Sequence, residues 1–122
     1  GGGAARNPSH TFMIGGAVNS ALNNFSRSLA MQGKIDKVSV SIIHPGMTLT
    51  SRLKKLLETD SKILKKSVKQ ILKQRCKADK IKRPTKPEEV AKVVYSLIRS
   101  SNLNFNNIAI DGGKIKRLKT HI

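Results

Sequence analysis

Acidic residues are scarce in this chain: seven Asp and Glu stand against 24 Lys and Arg, a formal net charge of +17 in 122 residues. Such an excess attracts polyanions, with an affinity that falls as salt rises. Aromatics are only 3% of the residues and tryptophan is absent. Any core is therefore aliphatic, which suits helices on a small sheet better than an aromatic-rich barrel. The single cysteine, Cys76, excludes an intramolecular disulfide, and with three scattered histidines it offers no zinc-site spacing. A reducing, cytoplasmic setting is the expectation. No apolar run approaches the roughly 20 residues that a membrane-crossing helix needs. The start, Gly1-Gly2-Gly3-Ala4-Ala5-Arg6, has no basic stretch followed by an apolar one, so neither secretion nor membrane spanning is expected. The length fits one domain with a real core.

The positive charge is concentrated. Between Ser51 and Arg83 there are 13 basic residues against Glu58, Asp60 and Asp79, and Lys114, Lys116, Arg117 and Lys119 add four near the end. Lys54, Lys55, Lys62, Lys65, Lys66, Lys69 and Lys73 fall mostly away from a stripe of Leu and Ile at helical spacing. This predicts helices apolar on one side and cationic on the other, a pattern that also fits anionic lipid or a partner's groove. No aromatic residue interleaves with these lysines, which argues against single strands held by base stacking.

Along the chain, residues 1–14 read as a flexible Gly/Ala/Asn/Pro-rich start, with Thr11 to Ile14 as a short extended piece. Val18, Ala21, Leu22, Phe25, Leu29 and Ala30 predict an amphipathic helix from Gly16 to Met31, ended by Gly33 as a left-handed cap. Val38 to Ile43 reads as a buried strand stopped by Pro45-Gly46. Thr50 is a candidate N-cap for the first of two basic helices, with the break between them expected near Thr59-Asp60-Ser61. Pro87-Glu88-Glu89 opens a further helix, because proline fits the first turn and the acids oppose the positive end of the helix dipole. Phe105 to Ile110 predicts a second strand, parallel to the first, before the turn Asp111-Gly112-Gly113.

Three segments carry a family resemblance. Gly15-Gly16-Ala17-Val18-Asn19 through Ala30, His44-Pro45-Gly46-Met47-Thr48-Leu49-Thr50, and Arg83-Pro84-Thr85-Lys86-Pro87-Glu88-Glu89 leading to Ile110-Asp111-Gly112-Gly113 resemble, in order and spacing, the short-chain dehydrogenase/reductases. The resemblance spans residues 15–113 and is to the C-terminal half of the family. It implies an α/β fold: a partial doubly wound, Rossmann-like parallel sheet, with residues 51–83 as a basic helical lid and residues 114–122 as a basic tail. It also implies a nicotinamide-dependent oxidoreductase lineage, with NAD or NADP as cofactor.

The catalytic side chains that the resemblance calls for are missing. The family's tyrosine falls on Gly15, its lysine on Asn19 and its serine near Gly2, with Ser9 close by. A proton relay needs an ionisable group of matched pKa within reach of the reacting oxygen, and none of the three supplies one. What the resemblance leaves for a cofactor is the turn Pro45, Gly46, Met47, Thr48 and Thr50; read from the residues alone, the same stretch is a strand end followed by an N-cap. Gly1-Gly2-Gly3 does not replace a phosphate-binding loop, since no strand precedes it and Arg6 stands where a third glycine would be. His44 reads as structural, and Tyr95 with Arg99 imitates the catalytic spacing on a surface helix.

The expectation is a chain of oxidoreductase lineage that is inactive alone, weak or silent toward NAD(P), and found as a homo-oligomer or with a missing N-terminal half. The other readings are a basic scaffold for nucleic acid, anionic lipid or a protein partner, and a truncated or decayed reading frame.

Overall fold

The computed structural model describes residues 1–5, 8–100 and 105–114. A 3-10 turn at Gly3–Ala5 precedes helix α1 (Met13–Asp36) and strand β1 (Val40–Pro45). Helices α2 (Ser51–Leu64), α3 (Val68–Asp79) and α4 (Pro87–Arg99) lead to strand β2 (Phe105–Ile110). The two strands form a parallel pair in a continuous register from Val40 opposite Phe105 to Pro45 opposite Ile110. The three intervening helices make the crossover that a parallel pair requires.

Helix α1 is longer than its apolar spacing predicts. Phe12 is its N-cap residue and Gly16 N–H already donates to Phe12 O at 2.8 Å, so Thr11 to Ile14 is no extended piece and the helix starts ahead of Gly16. The other end runs past Gly33 to Lys37, which takes the left-handed cap conformation at φ 58°. Lys65 and Lys80 close α2 and α3 in the same way. Each left-handed lysine costs about 1 kcal/mol more than a glycine would. At the first cap the cost is offset by Lys37 and Val38 N–H groups that both donate to Gly33 O.

Gly33 is needed for packing instead of capping. A Cβ there would lie 2.4 Å from Val38 O, so only a bare backbone lets the strand turn back this closely. Ser26, Ala30 and Gly33 form the buried face of α1, all small residues at helical spacing. The large apolar stripe of Val18, Leu22, Phe25 and Leu29 sits about a quarter turn away and is 43–62% exposed.

The break between the basic helices lies at residues 65–67, not at Thr59 to Ser61. Ser67 and Gln70 form a reciprocal capping box, which satisfies two N-terminal N–H groups and outcompetes a start at Thr59. Leu53 and Leu57 of α2 and Ile71 of α3 make the main apolar cluster, with Met47 and Leu72 packed against it. Thr50 caps α2 as expected, accepting from Leu53 N–H at 3.3 Å.

Candidate active site

Strand β1 ends where Gly46 N–H donates to Ile110 O at 2.9 Å, which holds the turn after β1 against the end of β2. A Cβ on Gly46 would meet Asp111 Cα at 2.7 Å, so this contact between backbones admits glycine alone. Past Gly46 the chain bridges in parallel to Thr85: Leu49 N–H donates to Thr85 O and Thr85 N–H to Met47 O, at 2.9 and 2.8 Å. Thr85 is buried, and its hydroxyl donates to Ile110 O at 3.3 Å. Sequence reasoning missed this residue as the tie between the turn and β2; the only signal was its place between two prolines.

The side chains of the turn are engaged locally. The Thr48 hydroxyl donates to Gly46 O at 3.0 Å, Thr50 caps α2, and Met47 packs on the apolar cluster. Among the described residues this turn leads from strand to helix without a glycine-rich loop, and no ionisable side chain stands in it.

The three positions to which the resemblance assigns a proton relay lie close together. Asn19 Nδ2 donates to Gly15 O at 2.8 Å, one helical turn back, and a Cβ on Gly2 would lie 3.0 Å from the same Asn19 nitrogen. Gly1, on the same segment, donates from its backbone nitrogen to Ile43 O at 3.0 Å, and Gly2 O lies 3.2 Å from His44 Nδ1. Gly2, Gly15 and Asn19 thus lie together, and two bare backbones and a neutral amide offer no proton of useful acidity. Ser9 lies in the turn before α1, where its hydroxyl meets Thr11 Oγ1 at 2.8 Å.

A further residue stands at this cluster. The Phe12 ring covers the α-carbon of Gly15 so closely that a Cβ there would lie 2.1 Å from Cζ. The direction in which a side chain at position 15 would leave the helix is filled by an aromatic ring. The i, i+3 spacing of Phe12 and Gly15 was the sequence signal for this contact.

Of the remaining candidates, His44 borders this cluster from β1 and Tyr95 lies on α4. His44 is 1% exposed, so it is shielded from any substrate and serves to pack β1 against the N-terminal segment. Tyr95 is 60% exposed on α4, and its hydroxyl accepts from Arg99 Nη1 at 2.9 Å. The Arg99 guanidinium lies 5.6 Å from the Tyr95 ring centre, so the pair is a local cation–π contact. No group of three or more metal-ligating side chains occurs among the described residues.

No protein-family sequence model matches the chain, and no curated protein sequence does. Solved structures do match. L-sorbose reductase from Gluconobacter frateurii, solved with NADPH and L-sorbose, superposes with a TM-score of 0.86 at 27% identity, over 96% of this chain and 46% of that one. A short-chain dehydrogenase family protein from Francisella tularensis matches at 0.84 and 21%, over 93% and 48%. An NADPH-bound short-chain oxidoreductase from Pseudomonas aeruginosa with an atypical catalytic centre matches at 0.71 and 21%, over 94% and 43%. The chain has a partial short-chain dehydrogenase/reductase fold. It spans about half the length of these structures, so the partial Rossmann-like sheet has the extent that its motifs predict. No described helix of this short-chain dehydrogenase-like chain is long and apolar enough to cross a membrane.

Proposed function

We propose that this chain is a catalytically silent, partial member of the NAD(P)-dependent short-chain oxidoreductase lineage, cytoplasmic in setting, which works only as part of a larger assembly. The observation that carries this reading is the convergence of Gly2, Gly15 and Asn19 with no ionisable side chain among them. The turn from Pro45 to Thr50 then serves as strand end and helix cap, and NAD(P) is held weakly or not at all.

The surface supports an assembly. On α1, Val18, Leu22, Phe25 and Leu29 form an unbroken apolar stripe 43–62% exposed. A second copy, or an N-terminal half that completes the sheet, covers this face in the proposed assembly.

The purified chain, incubated with NADH or NADPH and a panel of carbonyl and alcohol substrates, is expected to show no turnover above a blank. Light scattering is expected to report a mass above that of one chain. Measurable hydride transfer overturns the assignment, and a compact, cooperatively unfolding monomer overturns the assembly.

A further inference from the structure

Residues 62–70, around the turn that joins α2 to α3, form nine consecutive exposed positions. Three are apolar: Ile63, Leu64 and Val68 are 71%, 53% and 41% exposed. Four are the lysines at 62, 65, 66 and 69, and the chain carries no acid between Asp60 and Asp79. Asp60 is itself neutralised by Arg75 Nη2 at 2.6 Å, and Asp79 by Lys114 Nζ at 2.7 Å. The tip of the hairpin thus joins outward aliphatic side chains to uncompensated positive charge.

The turn is also held in one shape. The Ser61 hydroxyl donates to Lys66 O at 2.6 Å, Lys66 N–H returns to Ser61 O at 3.3 Å, and Ser67 with Gln70 caps α3. Behind it, Leu57 and Ile71 lock the two helices together. A tip fixed on both sides presents Ile63 and Leu64 to the surroundings because they cannot fold back onto the cluster already filled.

We infer that this hairpin tip binds the surface of an anionic membrane, with Ile63 and Leu64 entering the boundary between headgroups and acyl chains and the four lysines meeting lipid phosphates. Charge complementarity selects an anionic partner, and the apolar pair selects lipid over nucleic acid. A nucleic-acid backbone would leave two large aliphatic side chains against charge, and no aromatic residue lies in the segment to stack on a base. Lysine stems lie along apolar surface while their ammonium groups reach outward, which places both halves of the tip at one interface. The inference is independent of the inactivity proposed above, because it uses neither α1 nor the relay positions.

The test is flotation of the full chain with phosphatidylcholine vesicles, with and without phosphatidylserine, at low and near-physiological salt. Binding is expected only with phosphatidylserine, and weaker as salt rises. Lys65→Gln with Lys66→Gln, and separately Ile63→Ser with Leu64→Ser, are each expected to lower the partition coefficient about tenfold or more. Lys34→Gln with Lys92→Gln, away from the tip, is expected to change it little. Because tryptophan is absent from the chain, Ile63→Trp adds a depth probe whose emission should shift to the blue on the same vesicles. Circular dichroism of each variant checks that its helices are kept. Absent binding, equal loss with the Lys34/Lys92 pair, or an unshifted tryptophan overturns the inference. Tighter binding to duplex RNA, indifferent to the Ile63/Leu64 change, would reassign the surface to nucleic acid.

Discussion

The contact between Phe12 and Gly15 makes a quantitative prediction about what position 15 can hold. A side chain at position 15 cannot enter while the Phe12 ring stays, since its Cβ would lie 2.1 and 2.2 Å from two ring carbons. Gly15→Tyr must therefore swing the ring out. Phe12 is 51% exposed, so roughly half of the 1.5–3 kcal/mol that full burial of such a side chain supplies, about 1 kcal/mol, is at stake. Against this, replacing glycine inside a helix gains about 0.5 kcal/mol for tyrosine. Gly15→Tyr alone is expected to destabilise slightly. With Phe12→Ala already in place the same change should stabilise by about 0.5 kcal/mol, a coupling of about 1 kcal/mol between neighbours. Urea unfolding followed by circular dichroism, on the parent, both single variants and the double, measures the cycle. A coupling below about 0.3 kcal/mol, the scatter expected of independent sites, would refute the claim that the ring occupies this position.

Two further predictions concern stability. Two glycines of α1 should respond with opposite sign to alanine: at Gly16 a Cβ meets only ordinary contacts, the nearest Ala4 O at 3.6 Å, so Gly16→Ala should stabilise by about 1 kcal/mol. At Gly33 the same gain is opposed by an approach of 2.4 Å to Val38 O, which forces the helix end away from β1 at about 1–3 kcal/mol; Gly33→Ala should melt below the parent, and a higher midpoint would refute the close packing. The start of α4 should be acid-sensitive: the Arg83 guanidinium, donating to both carboxylate oxygens, and then the Lys86 N–H hold the Glu89 pKa down at about 2, from 4.5. A depressed carboxylate contributes stability that is fully present above the unfolded pKa and is lost as pH falls from about 4.5 toward 2; a Glu89→Gln variant should lack this part of the acid transition, and an identical pH profile would refute the assignment.

What the sequence made legible follows from where the physics is local. The parallel strands, the basic hairpin and the helix at Pro87 were readable because period, capping chemistry and proline position each act within a few residues. Thr50 caps α2 for that reason. The failures came where two local signals competed. Thr59-Asp60-Ser61 offered a cap inside α2, yet Ser67 won because Gln70 lies three residues on to complete a reciprocal pair. Gly33 looked like a terminator, but its missing side chain was needed against Val38 O, and the left-handed cap fell on Lys37 instead. The relay positions show the same limit from the other side. Gly15 and Asn19 sit one turn apart on α1 as helical spacing dictates, and the N-terminal segment brings Gly2 beside Asn19. Spacing could not show that Phe12 had filled the space over Gly15, since that depends on how a half-exposed ring folds back across the helix start. A gap in chemistry can be read from residue types, whereas the occupant of the gap is a matter of packing.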